Sequence, residues 1–594
     1  MFKPSNRFVS FVLFYSFLFS QVKVSQIKNL NITGNKNISD KALLLILRQK
    51  PPSIFSRHSS FEPRLLKLDA LTIKSFYHSK GFLDVKVKDS YFIKNNDVDI
   101  IFDINEGRQF FLSEVNFEGN TLISDDKVKE ILGLVESKPY DPVGVNNSIY
   151  KLENEYHNLA KLFFSIKVQD NITDSAKVQI IIDEGKDVYI DNIYLEKIGK
   201  IDSSLVRREI TFSKGDLFSK KVIDVTSKRL REMGVFSTAN LIPIKVNNSD
   251  SLVNIVIEFR KYKQREWNSS GGYDPISFAE GAPELPALSG TIEWRNRSFF
   301  NTPKQFSTKL LAGIPVNADF LTPRLRYDAS LSGNWFLGIR FPTKITGYFE
   351  RFIIYNANIY EGEIDRFGTN LSQKITFYNR SFIETNAVWE SFSDKTEEKF
   401  EERSISLKLN IDKKNMVLYT TKGYLFKSLF KIAGFGGGRE YQKIDFTFQN
   451  YFPVNKKTVF ATRLQSGKIW GWRELNNSDY SYEKFYLGGS TSMRGWDVLR
   501  FKENDENRPF GSTIRLMTNL EIRSNIYKTF GFTVFADGGL LENKIKKITR
   551  KNAKWDGGLG LTVETPLGPA RLDYAIRLDD KSKWKIQLGV QSLF

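Results

Sequence analysis

Apolar and polar residues alternate with a period of two through most of the second half of the chain. In the C-terminal segment, Trp584 and Ile586 share one face with other apolar residues, whereas Lys585 lies on the opposite face. Successive side chains of a strand point to opposite faces, so the pattern predicts strands with one apolar and one polar face. The alternation recurs over residues 514–523 and 571–577. Repeated charges on one face of otherwise apolar strands favour an apolar outer wall around a wet, polar lumen.

The first half contains an internal repeat. Residues 27–35 and 112–120 each alternate and end in a Gly-Asn turn, and each is followed by a Ser-Asp pair that predicts a helix start, at Ser39 and at Ser124. A longer helical stretch and two alternating strands follow in both copies, and the last strand runs into a Glu-Gly pair. The repeating unit is therefore β-α-α-β-β and about 80 residues long.

A third, more diverged copy follows the first two. It has a strand over residues 190–195, helical patterns over 203–211 and 219–233, and a closing strand over 253–259. Each copy is large enough to bury a small core of its own, so the sequence predicts separate modules in series.

The N-terminus has the pattern of an export signal. Lys3 and Arg7 precede a mostly apolar run from Phe8 to Phe19, which is too short to span a membrane as a helix. We expect cleavage near Gln21, which makes residues 1–20 a signal peptide.

Composition narrows the function classes. The chain has 594 residues and no cysteine, which excludes disulfide frameworks, thiolate metal sites and cysteine nucleophiles. A mean hydropathy of −0.34 excludes a helical membrane bundle, but a membrane β-barrel averages out as polar. The net charge is +19, yet the basic residues form no tail or stripe, so nucleic-acid binding is not favoured.

The length of the alternating half predicts the number of strands. At roughly 20 residues per strand and connection it predicts 16, an even number as single-chain bacterial barrels require. A barrel must close, because an open edge in hydrocarbon leaves backbone amides unpaired. A soluble β-sandwich is the alternative, but it would be large for one domain. The predicted organisation is a signal peptide (1–20), three α+β modules (21–108, 109–187 and 188–263) and a 16-stranded antiparallel transmembrane β-barrel (264–594).

One segment, from Leu487 to about Pro509, interrupts the strand pattern. It contains Gly-Gly-Ser-Thr-Ser-Met-Arg-Gly-Trp, in which the arginine is Arg494 and the next glycine is Gly495. The segment has neither a phosphate-binding Gly-Lys-Ser/Thr sequence nor a Gly-x-Ser-x-Gly nucleophile elbow. It is instead typical of a tight loop whose guanidinium needs a carboxylate partner.

A candidate partner lies on the strand that follows. Phe535 and Asp537 alternate with apolar residues there, so we expect both to face the lumen. A bidentate pair between Arg494 and Asp537 would fix the geometry of the loop and tether it inside the barrel.

Together these features resemble the outer-membrane protein assembly factors of the BamA/TamA type, which combine polypeptide-transport-associated (POTRA) domains with a surface-antigen barrel. The Arg-Gly-aromatic loop tip of that family is matched by Arg494 and Gly495, and its Phe-x-Asp-x-Gly strand by Phe535, Asp537 and Gly539. The methionine before the arginine and the tryptophan after the glycine are conservative departures. The resemblance covers the whole mature chain.

The resemblance implies a protein of the bacterial outer membrane, with its POTRA domains in the periplasm, that inserts and folds β-barrel proteins. It implies as partners unfolded outer-membrane protein clients, periplasmic chaperones, accessory assembly subunits (lipoproteins or an inner-membrane partner) and outer-membrane lipid, but no nucleic acid. The general assembly factor usually carries five repeats, so a chain with three repeats is more similar to the specialised translocation-and-assembly subunit. A two-partner secretion pore for a dedicated passenger and a passive porin remain as alternatives.

The first barrel strand is polar and contains glycines, which predicts weak pairing with the last strand. Such a lateral seam would expose an edge on which a client strand could add main-chain hydrogen bonds. A frayed strand after a linker is the alternative explanation. The predicted seam residues are Ser269, Ser270, Gly271, Gly272, Gly589 and Phe594.

Catalysis is not indicated. The three histidines, His58, His78 and His157, all lie in the repeat half, and no nucleophile is patterned with them. We therefore expect a protein that is not an enzyme and has no catalytic residue, metal site or cofactor.

Overall fold

The structure is a computed structural model that describes most of the chain. The predicted signal peptide and Phe594 lie outside the described residues. The residues that the structure describes are 25–50, 60–196, 198–247, 249–273, 287–315, 323–356, 359–378, 380–394, 399–417, 419–436, 440–455, 457–471, 483–505, 507, 509–527, 529–565 and 568–590.

The chain divides into two compact units. One contains the first two repeats and part of the third, and the other contains the rest of the third repeat together with the large sheet. Within the described ranges, no helix is long and apolar enough to cross a membrane.

Each of the first two repeats has the predicted β-α-α-β-β order. The first consists of β1 (Gln26–Thr33), α1 (Asp40–Ile46), α2 (Pro63–His78), β2 (Lys86–Lys94) and β3 (Asp97–Asn105). The second consists of β4 (Leu112–Glu118), α3 (Asp125–Leu132), α4 (Pro142–Asn158), β5 (Ser165–Ile172) and β6 (Ala176–Asp183).

The third repeat has the same order and the same sheet topology. It consists of β7 (Tyr189–Leu195), α5 (Ser203–Arg207), α6 (Lys220–Glu232), β8 (Phe236–Lys245) and β9 (Leu252–Lys261). In every repeat the last strand is central, with the first strand parallel to it on one side. The penultimate strand is therefore an edge of the sheet, as in the order β1-β3-β2.

The Gly-Asn turns have a steric reason. Gly34 and Gly119 both have positive φ, +81° and +88°, and each lies against a carbonyl of the central strand. A Cβ at Gly34 would lie 1.9 Å from the Ile104 oxygen, so only glycine fits. The predicted helix starts are at the expected positions, but only Ser39 caps its helix with its side chain; Ser124 makes no such bond.

In each of the first two repeats, the glutamate of the Glu-Gly pair clamps the turn after the first strand to the second helix. Glu106 accepts hydrogen bonds from the Asn37 backbone at 3.0 Å and from the Tyr77 hydroxyl at 2.8 Å. Glu184 accepts the corresponding bonds from Leu122 and Tyr156. Burial by itself would raise the pKa of the Glu106 carboxyl, but these donors outweigh burial and hold the pKa below its ordinary value.

The second half forms a sheet of 16 antiparallel strands in sequential order, which confirms the predicted barrel fold. The strands are β10 (Arg265–Tyr273), β11 (Ala287–Asn296), β12 (Gln305–Pro315), β13 (Arg324–Phe336), β14 (Ile339–Asn356), β15 (Ile359–Tyr378), β16 (Ser381–Asp394), β17 (Lys399–Asp412), β18 (Gly423–Ala433), β19 (Tyr441–Pro453), β20 (Thr458–Trp470), β21 (Ile514–Tyr527), β22 (Phe530–Glu542), β23 (Lys554–Thr565), β24 (Gly568–Arg577) and β25 (Trp584–Val590).

The two faces of this sheet differ as the alternation predicts, but the lumen differs from the expectation. Outward side chains such as Leu516 and Ile522 are exposed, and the inward Asn519 and Glu521 are polar. The expected wet lumen is wrong for this part of the wall, because Asn519 and Glu521 are fully buried. The loop that joins β20 to β21 covers them.

Candidate functional site

The connection between β20 and β21 folds into the barrel lumen. We call its described residues (483–505, 507 and 509–513) the lumen loop. Its apolar side chains pack in one cluster with residues of the inner wall, such as Tyr441 and Met517. The loop members of that cluster are Phe485, Leu487, Met493, Trp496 and Phe501. Burial of these side chains holds the loop against the wall and excludes solvent from its polar contacts.

The structure brings Arg494 and Asp537 together. The Arg494 Nε and Nη2 atoms each donate to an Asp537 carboxylate oxygen at 2.8 Å, and both side chains are fully buried. The guanidinium also stacks on the Phe535 ring, 3.4 Å from its centroid. Two parallel hydrogen bonds and a stacking contact fix the plane of the guanidinium, which a flexible ammonium group could not reproduce.

Arg494 has two further carboxylate partners that the sequence did not identify. Its Nη1 atom lies 2.7 Å from Glu521 on β21 and 3.4 Å from Asp573 on β24. Both carboxylates come from the polar faces that the alternation predicts, but sequence alone does not show which lumen-facing acids meet the loop. The arginine therefore joins three strands rather than one.

Gly495 and Gly539 are positions of close approach. The Gly495 N–H donates to Asp556 at 2.9 Å, and a Cβ at Gly495 would lie 2.8 Å from the Cβ of the same aspartate. A Cβ at Gly539 would lie 2.9 Å from the Met493 sulfur. The two glycines leave the room in which the loop tip packs against β22 and β23.

The backbone of the loop tip is held by side chains of the wall. Arg463 on β20 donates to the Thr491 carbonyl at 2.8 Å, and Asn519 on β21 donates to both Ser492 and Asp537. Arg571 on β24 donates to the Ser490 carbonyl at 3.1 Å. Buried carbonyls that would otherwise lack partners are thus satisfied by the barrel.

The loop also contacts the last strand. Gln587 on β25 donates to the Trp496 carbonyl at 3.2 Å, and Lys585 pairs with Asp497 at 2.8 Å. The tip therefore contacts each of the strands from β20 to β25.

A second buried cluster anchors the start of the loop, and sequence reasoning missed it. Glu483 pairs with Lys431 on β18 at 2.8 Å and with Lys443 on β19 at 2.7 Å. Lys431 also pairs with Glu402 on β17 at 2.8 Å. Two cations and two anions balance, so the cluster carries no net charge inside the wall.

The predicted seam residues lie at the two ends of the sheet. Ser269, Ser270, Gly271 and Gly272 are on β10, which pairs along its whole length with β11. Gly589 is on β25, which pairs with β24, and a Cβ there would lie 2.7 Å from Arg571. Within the described strands, β10 and β25 are the outermost strands of the sheet.

Fold and site together define a class of protein: α+β repeats followed by a 16-stranded barrel that holds a loop in its lumen through a buried arginine. A model of the Omp85 superfamily domain matches residues 290–592, just over half of the chain. A model of the POTRA family, the surface antigen variable number repeat, matches residues 25–107 and 110–185. The chain belongs to the Omp85 superfamily.

Individual relatives extend along most of the chain. The outer membrane protein assembly factor BamA of Nitratidesulfovibrio vulgaris is 23% identical over 93% of this chain and 71% of its own length. The sorting and assembly machinery component 50 homolog of Mus musculus is 25% identical over 71% of this chain and 92% of its own. Among solved structures, BamA from Haemophilus ducreyi lacking POTRA domains 1–3 superposes with a TM-score of 0.58. It is 15% identical and covers 81% of this chain and 98% of its own, which supports the fold.

Proposed function

We propose that this chain is an outer-membrane protein assembly factor that inserts and folds β-barrel proteins, with its POTRA domains in the periplasm. The observation that carries the proposal is the buried Arg494 cluster inside a barrel that follows POTRA repeats, a combination that a passive porin does not need. The relatives named as assembly factors support the same function.

The loop is proposed to stabilise the wall next to the seam. Its tip holds β24 through Arg571 and β25 through Gln587 and Lys585. These contacts come from the lumen and involve side chains of β25. Since β25 is the last strand of the sheet, the contacts do not use the backbone groups along its outer edge. A strand held from its face can open its edge without losing its position.

The seam between β10 and β25 is the proposed site of client folding. An edge strand has a row of unpaired N–H and C=O groups, and a client strand can pair with it by main-chain hydrogen bonds. Such templating requires neither a nucleotide nor a metal, because the new hydrogen bonds and the burial of the client's apolar face drive it.

The POTRA domains are proposed to receive unfolded clients at their edge strands. In the first domain β2 is an edge, and Tyr91, Phe92 and Ile93 near its end are all exposed. An extended apolar client can add a strand there and cover these side chains. Chaperones and accessory subunits are proposed as partners of the same domains.

Depletion in the host is the first experiment, followed by quantitative profiling of the outer-membrane fraction. We expect many barrel proteins to decrease if the chain is the general factor, and only a few if it is the specialised subunit. An unchanged barrel profile with altered uptake of small solutes would contradict the assembly function and favour a porin.

A disulfide test addresses the seam directly, because the chain has no cysteine of its own. Ser270→Cys is combined with single cysteines scanned through residues 584–589, and cross-linked barrels are assayed for folding of a urea-unfolded barrel client in vesicles. We expect the cross-link to abolish the acceleration of client folding by the barrel, and a reductant to restore that acceleration. The control pairs Ser270→Cys with Thr291→Cys, its cross-strand neighbour on β11, where a cross-link leaves the seam free. Full activity of the seam-locked barrel would overturn the templating mechanism.

A further inference from the structure

The connection between β22 and β23 is strongly basic. Together with the first residue of β23, the connection includes six lysines and arginines and no acidic residue: Lys544, Lys546, Lys547, Arg550, Lys551 and Lys554. The side chains of Lys546, Lys547 and Arg550 are exposed, and none forms an ion pair with a described residue. The acid that precedes the loop, Glu542, is already engaged by Asn552 at 2.8 Å.

This loop borders a groove on the outer face of the barrel. The groove has a volume of about 630 Å³ and is lined by outward side chains of β19 to β23, including Phe446, Phe448, Leu464, Leu516 and Trp555. These side chains are between 37% and 53% exposed, so the wall itself leaves them uncovered. The groove is as large as many small-molecule sites, which span roughly 300–1,000 Å³.

The groove and the basic loop are parts of one surface. Thr549 and Arg550 line the groove together with the aromatic residues, so a cation borders an otherwise mostly apolar surface. Gly538 deepens the groove, because a Cβ there would lie 2.8 Å from the Trp555 ring. A ligand that fits must therefore be apolar along its length and anionic at one end.

The position of the loop in the topology identifies the ligand class. The POTRA domains precede β10, so β10 begins at the periplasmic end. Because successive strands are antiparallel, the connections that follow β10, β12 and every second strand up to β24 lie at the opposite end. The β22–β23 loop is at that outer end, on the same side as the lumen loop. The groove below it faces the outer leaflet of the membrane.

We propose that this surface binds a phosphorylated lipid of the outer leaflet, with an acyl chain in the groove and a phosphate against Lys547 and Arg550. Lysine and arginine both form charge-assisted bonds with phosphate, and polybasic segments bind anionic lipid surfaces. The site lies on strands β19 to β23, of which β20 to β23 hold the lumen-loop tip on their inner face, so the lipid would stabilise the same wall from outside. The inference rests on the outer-membrane location of the chain and not on its assembly activity.

Native mass spectrometry of the full chain in neutral detergent tests the site, with diphosphoryl lipid A as the probe. Each cation near an anionic surface contributes about a fivefold gain in affinity, so K547Q/R550Q is expected to weaken binding by about 25-fold. T518W, which fills the groove, is expected to weaken it as well. Dephosphorylated lipid A is expected to bind the native chain as poorly as diphosphoryl lipid A binds K547Q/R550Q.

The matched control is K581Q/K583Q, which removes two exposed cations from another loop at the same end of the barrel. We expect it to bind lipid A as the native chain does. Equal loss in this control would show general charge attraction and overturn the site. Unchanged binding by K547Q/R550Q or by T518W, or displacement of the lipid by inorganic phosphate at the same phosphate concentration, would also overturn it.

Discussion

Removal of the Arg494 side chain should release the lumen loop. In R494A, the carboxylates of Asp537, Glu521 and Asp573 remain buried without their shared cation. Breaking a buried ion pair by deleting one partner costs about 3–5 kcal/mol, because the remaining charge stays desolvated. Since 1.4 kcal/mol corresponds to about a tenfold change in an equilibrium constant, the undocked population should rise by roughly two to three and a half orders of magnitude.

A single cysteine can report this population, because the native chain has none. Ser490 is 6% exposed at the loop tip, so a thiol in S490C is protected while the loop is docked. When redocking is faster than modification, the rate of labelling follows the fraction of undocked loops. The measurement is made on isolated outer membranes, with assembly of each variant checked by its gel mobility before heating.

Arg500 provides the matched control within the same loop. It pairs with Glu503 at 2.7 Å, but both side chains are partly exposed. Pairs of this kind contribute about 0–1 kcal/mol, so R500A should change labelling by less than about tenfold. D537N should be intermediate, because Arg494 keeps its contact with Glu521. If R494A labels no faster than R500A, the buried cluster does not hold the loop and the reasoning fails.

Three further predictions follow from buried charges elsewhere. D556N should label no faster than the native chain, since its amide oxygen can still accept the hydrogen bond from the Gly495 N–H; rapid labelling would show that the carboxyl group itself holds the loop. E483Q should lower the temperature at which the barrel loses its folded gel mobility more than K443M/E483Q does, because only the single variant keeps the buried Lys443 cation without the Glu483 carboxylate, at a cost of about 3–5 kcal/mol. In the first POTRA domain, the lowered pKa of Glu106 adds stability that is present above its ordinary pKa of 4.5 and is lost as the pH falls through the folded value. E106Q should therefore weaken hydrogen-exchange protection of that domain by about 1–3 kcal/mol at pH 7 and remove this pH dependence, with the second domain of the same chain as the internal reference.

The sequence predicted the repeats and the strands because their signals are local. A period of two and a glycine at a positive φ, as at Gly34 and Gly119, depend only on neighbouring residues and on one close backbone contact. The fold class and the strand number therefore followed from the pattern. The absence of a side-chain cap at Ser124 shows the limit of such rules, since nearby groups can replace a single hydrogen bond.

The site was predictable only in part, because its contacts are not local. The alternation placed Asp537 in the lumen, and a conspicuous loop arginine needed a carboxylate. Nothing in the sequence distinguished Glu521 and Asp573 from other lumen-facing acids, because the choice depends on the register of strands far apart in the chain. Period-two patterns separate inside from outside, but they do not show whether water or a loop fills the inside.

The same burial explains why the lumen charges are balanced. Arg463, Arg494, Arg523 and Arg571 face Glu521, Asp537, Asp556 and Asp573 on the wall that contacts the loop tip. An open lumen would tolerate an excess of either sign, because water screens it, but a loop-filled lumen cannot. These four arginines and four carboxylates thus form one unit in which the two signs are balanced in number. Since that unit continues to β25 through Gln587, release of the loop should also free the strand at the proposed seam, and loop docking and seam opening should respond together to R494A.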